Sequence, residues 1–226
     1  MNKEKLAEHR SYLCEVRAEN DAEKESESII TGRPIVFNQR TDLGWFDEEI
    51  APGALDNTDL TDVRFLVNHD LSKIPLARSR NNNLKSTMQL EKNENGLDIT
   101  ARIDIEANAD ARALDSAVRR GDISGMSFMF FIDADEWENL ESDHPLRRIT
   151  SISRVVEVSA VTFPAYNATE IYANRSNEAL ESARQTLESA RAQRAAKPAT
   201  ETPAANDLEL AKAKLEFTKL SGGQNK

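Results

Sequence analysis

Gly121-Asp122-Ile123-Ser124-Gly125-Met126-Ser127-Phe128-Met129-Phe130-Phe131 is an apolar run carrying hydroxyls and glycines in a chain otherwise thick with charge. From Met126 to Ile132 it is rich in aromatic and unbranched apolar residues and too short for an ordinary helix, which predicts a buried strand. Alternation on a strand puts Ser124, Met126, Phe128 and Phe130 on one face and Ile123, Gly125, Ser127 and Met129 on the other. Gly125 inside such a run marks a close approach of backbone or ligand. Two serines beside it offer a nucleophile, although a hydroxyl on a strand more often bonds nearby backbone.

The surroundings narrow the class. The chain has 226 residues, which suits one domain with tails. Its formal net charge is −10, which disfavours nonspecific binding to nucleic acid or to an anionic membrane face. The single cysteine, Cys14, has no partner for an internal disulfide or a structural zinc, and is expected to be an inert thiol. No run reaches the roughly 20 apolar residues that span a bilayer. The charged start Met1-Asn2-Lys3-Glu4-Lys5 has no apolar segment behind it, so no secretory signal is expected. The expectation is a soluble, intracellular protein.

In chain order, residues 1–27 read as a polar arm. Order begins with Ser28 to Asn38, a strand broken by a Gly/Pro kink. Val63 to Asp70 reads as a strand delivering His69 to its C-terminal end. Thr87–Glu91 and Leu97–Ile103 are period-two runs around a polar turn ending in Asn95-Gly96, a hairpin signal. Ala109 to Arg120 is a helix: Ala113, Leu114, Ala117 and Val118 recur at helical spacing, and Arg119-Arg120-Gly121 is a basic end with a glycine stop. Asp133 to Pro145 reads as an acidic, exposed connection. Arg148 to Val161 then alternates as a long strand. Residues 28–173 are therefore the globular domain. Residues 174–226 are a tail, with a helix over 176–194, a Pro/Ala/Thr linker over 197–205 and a second helix over 207–220.

Among the three histidines, His9 in the polar arm and His144 in the acidic loop are expected to face solvent. His69 ends an apolar strand. Serine hydrolysis needs a hydroxyl, an imidazole to take its proton and a group that orients the imidazole. The candidates are Ser124 or Ser127, His69, and Glu157, a charge set among Val155, Val156 and Val158 where it is costly unless paired.

These residues also carry a resemblance. Ile50-Ala51-Pro52-Gly53-Ala54-Leu55, Val63-Arg64, Asn68-His69-Asp70, Arg119 to Phe128, Glu157-Val158-Ser159 and Val161-Thr162-Phe163-Pro164-Ala165 stand in one order over about residues 29–170. Together they resemble the tailed-phage prohead proteases, relatives in fold of herpesvirus assemblin. The resemblance implies a mainly β, α+β fold with an assemblin-like β-barrel core, flanking helices and a helical C-terminal tail. It implies a serine endopeptidase that cuts scaffolding segments from the major capsid protein, and itself, inside the immature capsid in the host cytoplasm. His69 matches the family's catalytic histidine, Ser127 its nucleophile with Ser124 as the alternative, and Glu157 its acidic third member. Backbone N–H groups would hold the oxyanion. Its partners would be the capsid protein, its scaffolding segment and other copies of the chain, with no specific nucleic acid and no membrane. Neither cofactor nor metal is implied. Where relatives read Ser-Phe-Gly-Phe this chain reads Ser127-Phe128-Met129-Phe130, and where many have Leu-Gly-Arg it has Leu76-Ala77-Arg78. Met129 in place of glycine favours the alternative reading, a protease-like scaffolding protein without turnover.

Overall fold

The structure is a computed structural model, and it describes residues 7–22, 24–163 and 170–196. The expected second tail helix, the linker and Pro164-Ala165 lie outside the described residues. The chain divides into two units, residues 1–183 and 184–226, the second represented here by the end of a long helix.

The strands in order are β1 (Glu8–Leu13), β2 (Arg17–Asn20), β3 (Glu27–Val36), β4 (Thr41–Asp42), β5 (Asp47–Ile50), β6 (Asp62–Val67), β7 (Ala77–Arg80), β8 (Met88–Asn93) and β9 (Gly96–Asp104). Helix α1 (Ala109–Arg120) follows, then β10 (Gly125–Glu138), β11 (Leu146–Val161) and helix α2 (Glu170–Ala196). The protein is thus mainly β with helices added, as expected.

The dense stretch and the long alternating run form one antiparallel hairpin, β10 with β11. β11 then divides its far edge between two parallel partners: Leu146–Ile149 pair with β5, and Glu157–Ala160 pair with β6. β1 adds antiparallel to the outer edge of β10. The other sheet runs β2-β3-β9-β8. The expected β-barrel does not close among the described residues: one sheet ends on β2 and β8, the other on β1, β4 and β7. A barrel needs one ladder that returns to its first strand. Here β11 uses its second edge on two separate strands, and register shifts bend β10 between Met129 and Asp135.

α1 occupies the predicted residues for the predicted reasons. The Asn108 side chain accepts the N–H groups of Asp110 and Ala111, and Gly121 closes the helix in the left-handed region at φ 77°. Ala111, Leu114 and Val118 form its buried face. The β8–β9 hairpin also forms, but with Glu94-Asn95 at its tip and Gly96 as the first residue of β9. Gly96 has φ 147°, and a Cβ there would collide with the carbonyl oxygen of Ile35 on β3. Close approach of strands, rather than the turn itself, requires the glycine.

Two regions differ from the sequence reading. Asp133–Glu138 continues β10 instead of forming an exposed loop, because Asp135 pairs with Arg147 at 2.6 Å and Glu138 with Arg148 at 3.3 Å, while Trp137 packs edge-on against Phe46. Residues 8–20, read as part of an arm, form β1 and β2. β1 is held by charge: Arg10, only 7% exposed, pairs with Glu48, 2% exposed, and with Glu8 at 2.5 Å. Arg147 joins them, at 3.3 Å from Glu8 and 3.2 Å from Glu48. Burial alone would push the Glu8 carboxyl up, but the guanidiniums of Arg10 and Arg147 hold it below its ordinary value. Leu180 of α2 is buried with Leu43 and Phe46, so the start of α2 belongs to the first unit.

Two outcomes follow for stability. Gly96→Ala combines a steric clash with a disfavoured φ, which costs on the order of 1–3 kcal/mol or more. Gly44→Ala, with open space around the added Cβ, should cost less. Urea midpoints test this, and equal shifts would contradict it. A carboxyl whose folded value is lowered gives stability above its unfolded value and loses it as pH falls through the folded one. Protection of the β1 amides should therefore persist at neutral pH and fall, relative to β9, only below the ordinary value of 4.5. Hydrogen exchange as protection factors reads this. Loss between pH 8 and 6 would be the wrong sign.

Candidate active site

The site is built on the turn after β6 and the C-terminal part of β11. After Val67 the chain must leave the sheet sharply, and Asn68 and His69 both adopt left-handed backbone, φ 52° and 58°. Such angles strain a non-glycine residue and persist where the surroundings hold them. Asn68 N–H donates to the Ala160 carbonyl at 2.9 Å, and its side chain accepts from Thr162 N–H at 2.9 Å while donating to Thr162 Oγ1 at 3.0 Å. Asp70 closes the turn by accepting from Ser72 N–H at 3.0 Å and Ser72 Oγ at 2.5 Å, bonds that hold its carboxyl below the usual range. The Asn-His-Asp block is thus a clamp that fixes one imidazole.

That imidazole meets Glu157. His69 Nδ1 lies 2.6 Å from Glu157 Oε1. Glu157 is fully buried, and its second oxygen accepts from Ser159 Oγ at 2.5 Å. Ser159 Oγ also accepts the His69 backbone N–H at 3.1 Å. An ionised carboxylate only accepts, so Nδ1 carries the proton and Nε2 is left free to take one. The side chain of His69 is 17% exposed, so the imidazole remains within reach of solvent.

Ser127 lies directly across the ladder from Ser159, and Met129 across from Glu157. Opposed residues of an antiparallel pair share a face, so Ser127, Met129, Glu157 and Ser159 stand together. On the outer side Ser11 of β1 opposes Ser127, and His9 opposes Met129. Ser127 has no exposed surface, and its hydroxyl donates to the carbonyl oxygen of Arg10 at 2.8 Å. Ser124 precedes β10 and is exposed, roughly 10 Å further along the chain at strand rise. A groove of about 330 Å³ opens beside the clamp, lined by Leu66, Val67, Asn68, Ile74, Leu76 and Ile123.

Two participants are absent from the sequence reading. Ser159 is legible in hindsight, since it stands two residues after Glu157 and therefore on the same face. His9, expected in solvent, packs edge-on against His69 with ring centroids 4.5 Å apart and Nδ1 atoms 3.3 Å apart. Its only signal is a place in Glu8-His9-Arg10-Ser11-Tyr12-Leu13, whose polar residues conceal a strand. His144 bonds Asp47 at 3.1 Å on the surface. Donor atoms of His9, His69 and Glu157 all lie within 4.8 Å of one another, a set that zinc accepts in other proteins. Burial pushes the Cys14 thiol up, in keeping with an inert group.

A buried carboxylate, an oriented imidazole and a serine on the adjoining strand are the parts that acyl transfer requires. Comparison with curated proteins and with solved structures finds no match. A family model described as caudovirus prohead serine protease matches residues 14–183, which take in β2 to β11, the His69–Glu157 pair and both candidate serines. The chain belongs to the caudovirus prohead serine protease family.

Proposed function

We propose that this chain is the serine endopeptidase that matures a phage prohead by cutting scaffolding segments from the major capsid protein and by cutting itself. The observation that carries the reading is the 2.6 Å contact of His69 with a fully buried Glu157, on the sheet face that also bears Ser127. In the reaction, Ser127 Oγ attacks the scissile carbonyl carbon and His69 Nε2 takes the hydroxyl proton. Glu157 keeps Nδ1 protonated and stabilises the imidazolium, and Ser159 fixes the carboxylate. The proton then passes from His69 to the departing amine, and water hydrolyses the acyl-enzyme by the same route. Backbone N–H groups hold the oxyanion. The partners are the capsid protein, its scaffolding segment and further copies of this chain, met within the prohead. No helix among the described residues is long and apolar enough to cross a membrane.

Met129 stands opposite Glu157, at a position where the family resemblance implies glycine, and it is the feature that would suit a scaffolding protein without turnover. Cleavage of the capsid precursor by the purified chain would exclude that alternative. Ser127→Ala and His69→Ala should each lower kcat/KM by roughly 10⁴-fold or more with the fold intact. Glu157→Gln should be impaired less severely. Precursor cleavage followed on a gel, with circular dichroism as the fold control, reads this. Activity retained by Ser127→Ala and lost in Ser124→Ala would move the nucleophile by three residues.

The tail supplies the address. By composition the Pro/Ala/Thr segment suits a protease cleft, and a sequence as weakly amphipathic as the one after it would need a partner to order as a helix. Because Leu180 is buried in the first unit, the informative truncation starts after α2. Deleting residues 197–226 should spare peptide hydrolysis in solution and prevent incorporation into proheads. Packaging at normal copy number would remove the tail from this role.

A further inference from the structure

β10 carries Ser127, yet its outer edge is taken by the chain's own residues Glu8–Leu13. Ser127 is fully buried there, its hydroxyl committed to the Arg10 carbonyl at 2.8 Å. No substrate carbonyl can reach that oxygen while β1 stays in place. β1 is also an edge strand, so its departure would leave β10 with open N–H and C=O groups, the template on which an extended peptide adds. The family match begins at Cys14, the residue after β1. The matched residues thus take in β10 and start just past β1.

The side chain of Arg10 shows what the vacated position would accept. It pairs with Glu48 and lies over the Phe130 ring, 5.7 Å from the centroid. Glu8 and Arg10 carry opposite charges and would leave together. The buried Glu48 then keeps only Arg147, at 3.2 Å, and Arg147 is shared with Asp135 at 2.6 Å. A buried carboxylate that loses a partner is costly, so the vacated site favours a cation.

We propose that β1 is an intramolecular pseudosubstrate. Residues 8–13 hold the place of an extended substrate on β10, with Arg10 on the acyl side of the position that Ser127 attacks. The chain is latent until β1 is displaced, and its preferred substrate is an extended peptide with Arg or Lys in the place of Arg10. This rests on the protease reading above, with Ser127 as nucleophile.

The test uses the full chain and two readouts. The first is the rate at which a fluorophosphonate probe labels Ser127, located by peptide mapping. The second is binding of a fluorescent synthetic peptide of residues 7–14. Arg10→Ala should be labelled at least tenfold faster than wild type. Leu13→Pro, at the half-exposed end of the strand, disturbs the same ladder without touching Glu48 and should act in the same direction. Unlabelled 7–14 peptide should slow the labelling of Arg10→Ala again, and the same peptide with Arg10 changed to Ala should not. Wild type labelled as fast as both variants overturns the proposal. So does a peptide that accelerates labelling, since β1 would then complete the site rather than block it. If no form is labelled at Ser127, the nucleophile assignment fails, and peptide binding alone decides for β1. Binding at least tenfold tighter to Arg10→Ala than to wild type supports the pseudosubstrate; equal binding, or none, rejects it.

Discussion

A carboxylate with no exposed surface, Glu157, stands in the C-terminal third of β11, the longest strand among the described residues. Uncompensated, such a charge would cost several kcal/mol. Its two oxygens are instead used by His69 and Ser159. His69 can reach it only because Asn68 and His69 accept left-handed backbone, and that turn holds only because Asn68 is tied to Ala160 and Thr162 at the end of the same strand. The parallel pairing of β6 with Glu157–Ala160 fixes the register of the whole arrangement. One buried charge thus makes demands on a strand, a turn and a ladder, and together these orient an imidazole.

A second buried charge cluster does a different task. Glu8, Arg10, Glu48, Asp135 and Arg147 join β1 to β5, β10 and β11 through charge-assisted hydrogen bonds. Burial of ion pairs gives little net stability against an apolar core, and it specifies geometry instead. Here the geometry is the register that sets Ser11 against Ser127, brings the Arg10 carbonyl to the Ser127 hydroxyl, and places His9 against His69. The face that carries Ser127 and the strand that covers it are therefore coupled: what secures β1 also keeps Ser127 buried.

Much of this was readable where local signals and tertiary demands agree. α1 has a cap, an apolar stripe and a glycine stop within its own residues. Glu157 was readable because a charge inside a run of valines has to be explained by a partner. β1 was not, because its residues are buried through pairing rather than by apolar alternation, so Glu8 and Arg10 look like solvent-facing groups until Glu48 and Arg147 are brought to them. Asp133–Glu138 was misread as a loop for the same reason. The Asn95-Gly96 signal located the hairpin and missed the purpose of the glycine, which depends on β3, about sixty residues earlier. The barrel expectation came from resemblance, and among the described residues β11 gives its second edge to β5 and β6 without closing a barrel.

The central claim is that His69, Glu157 and Ser127 work as one unit. A double-mutant cycle on precursor cleavage tests it most directly, comparing His69→Ala, Glu157→Gln and the double variant by kcat/KM. If Glu157 acts by orienting His69, the double variant should be no slower than His69→Ala alone, because the carboxylate has nothing left to orient. Additive losses, with the two effects multiplying, would contradict the account.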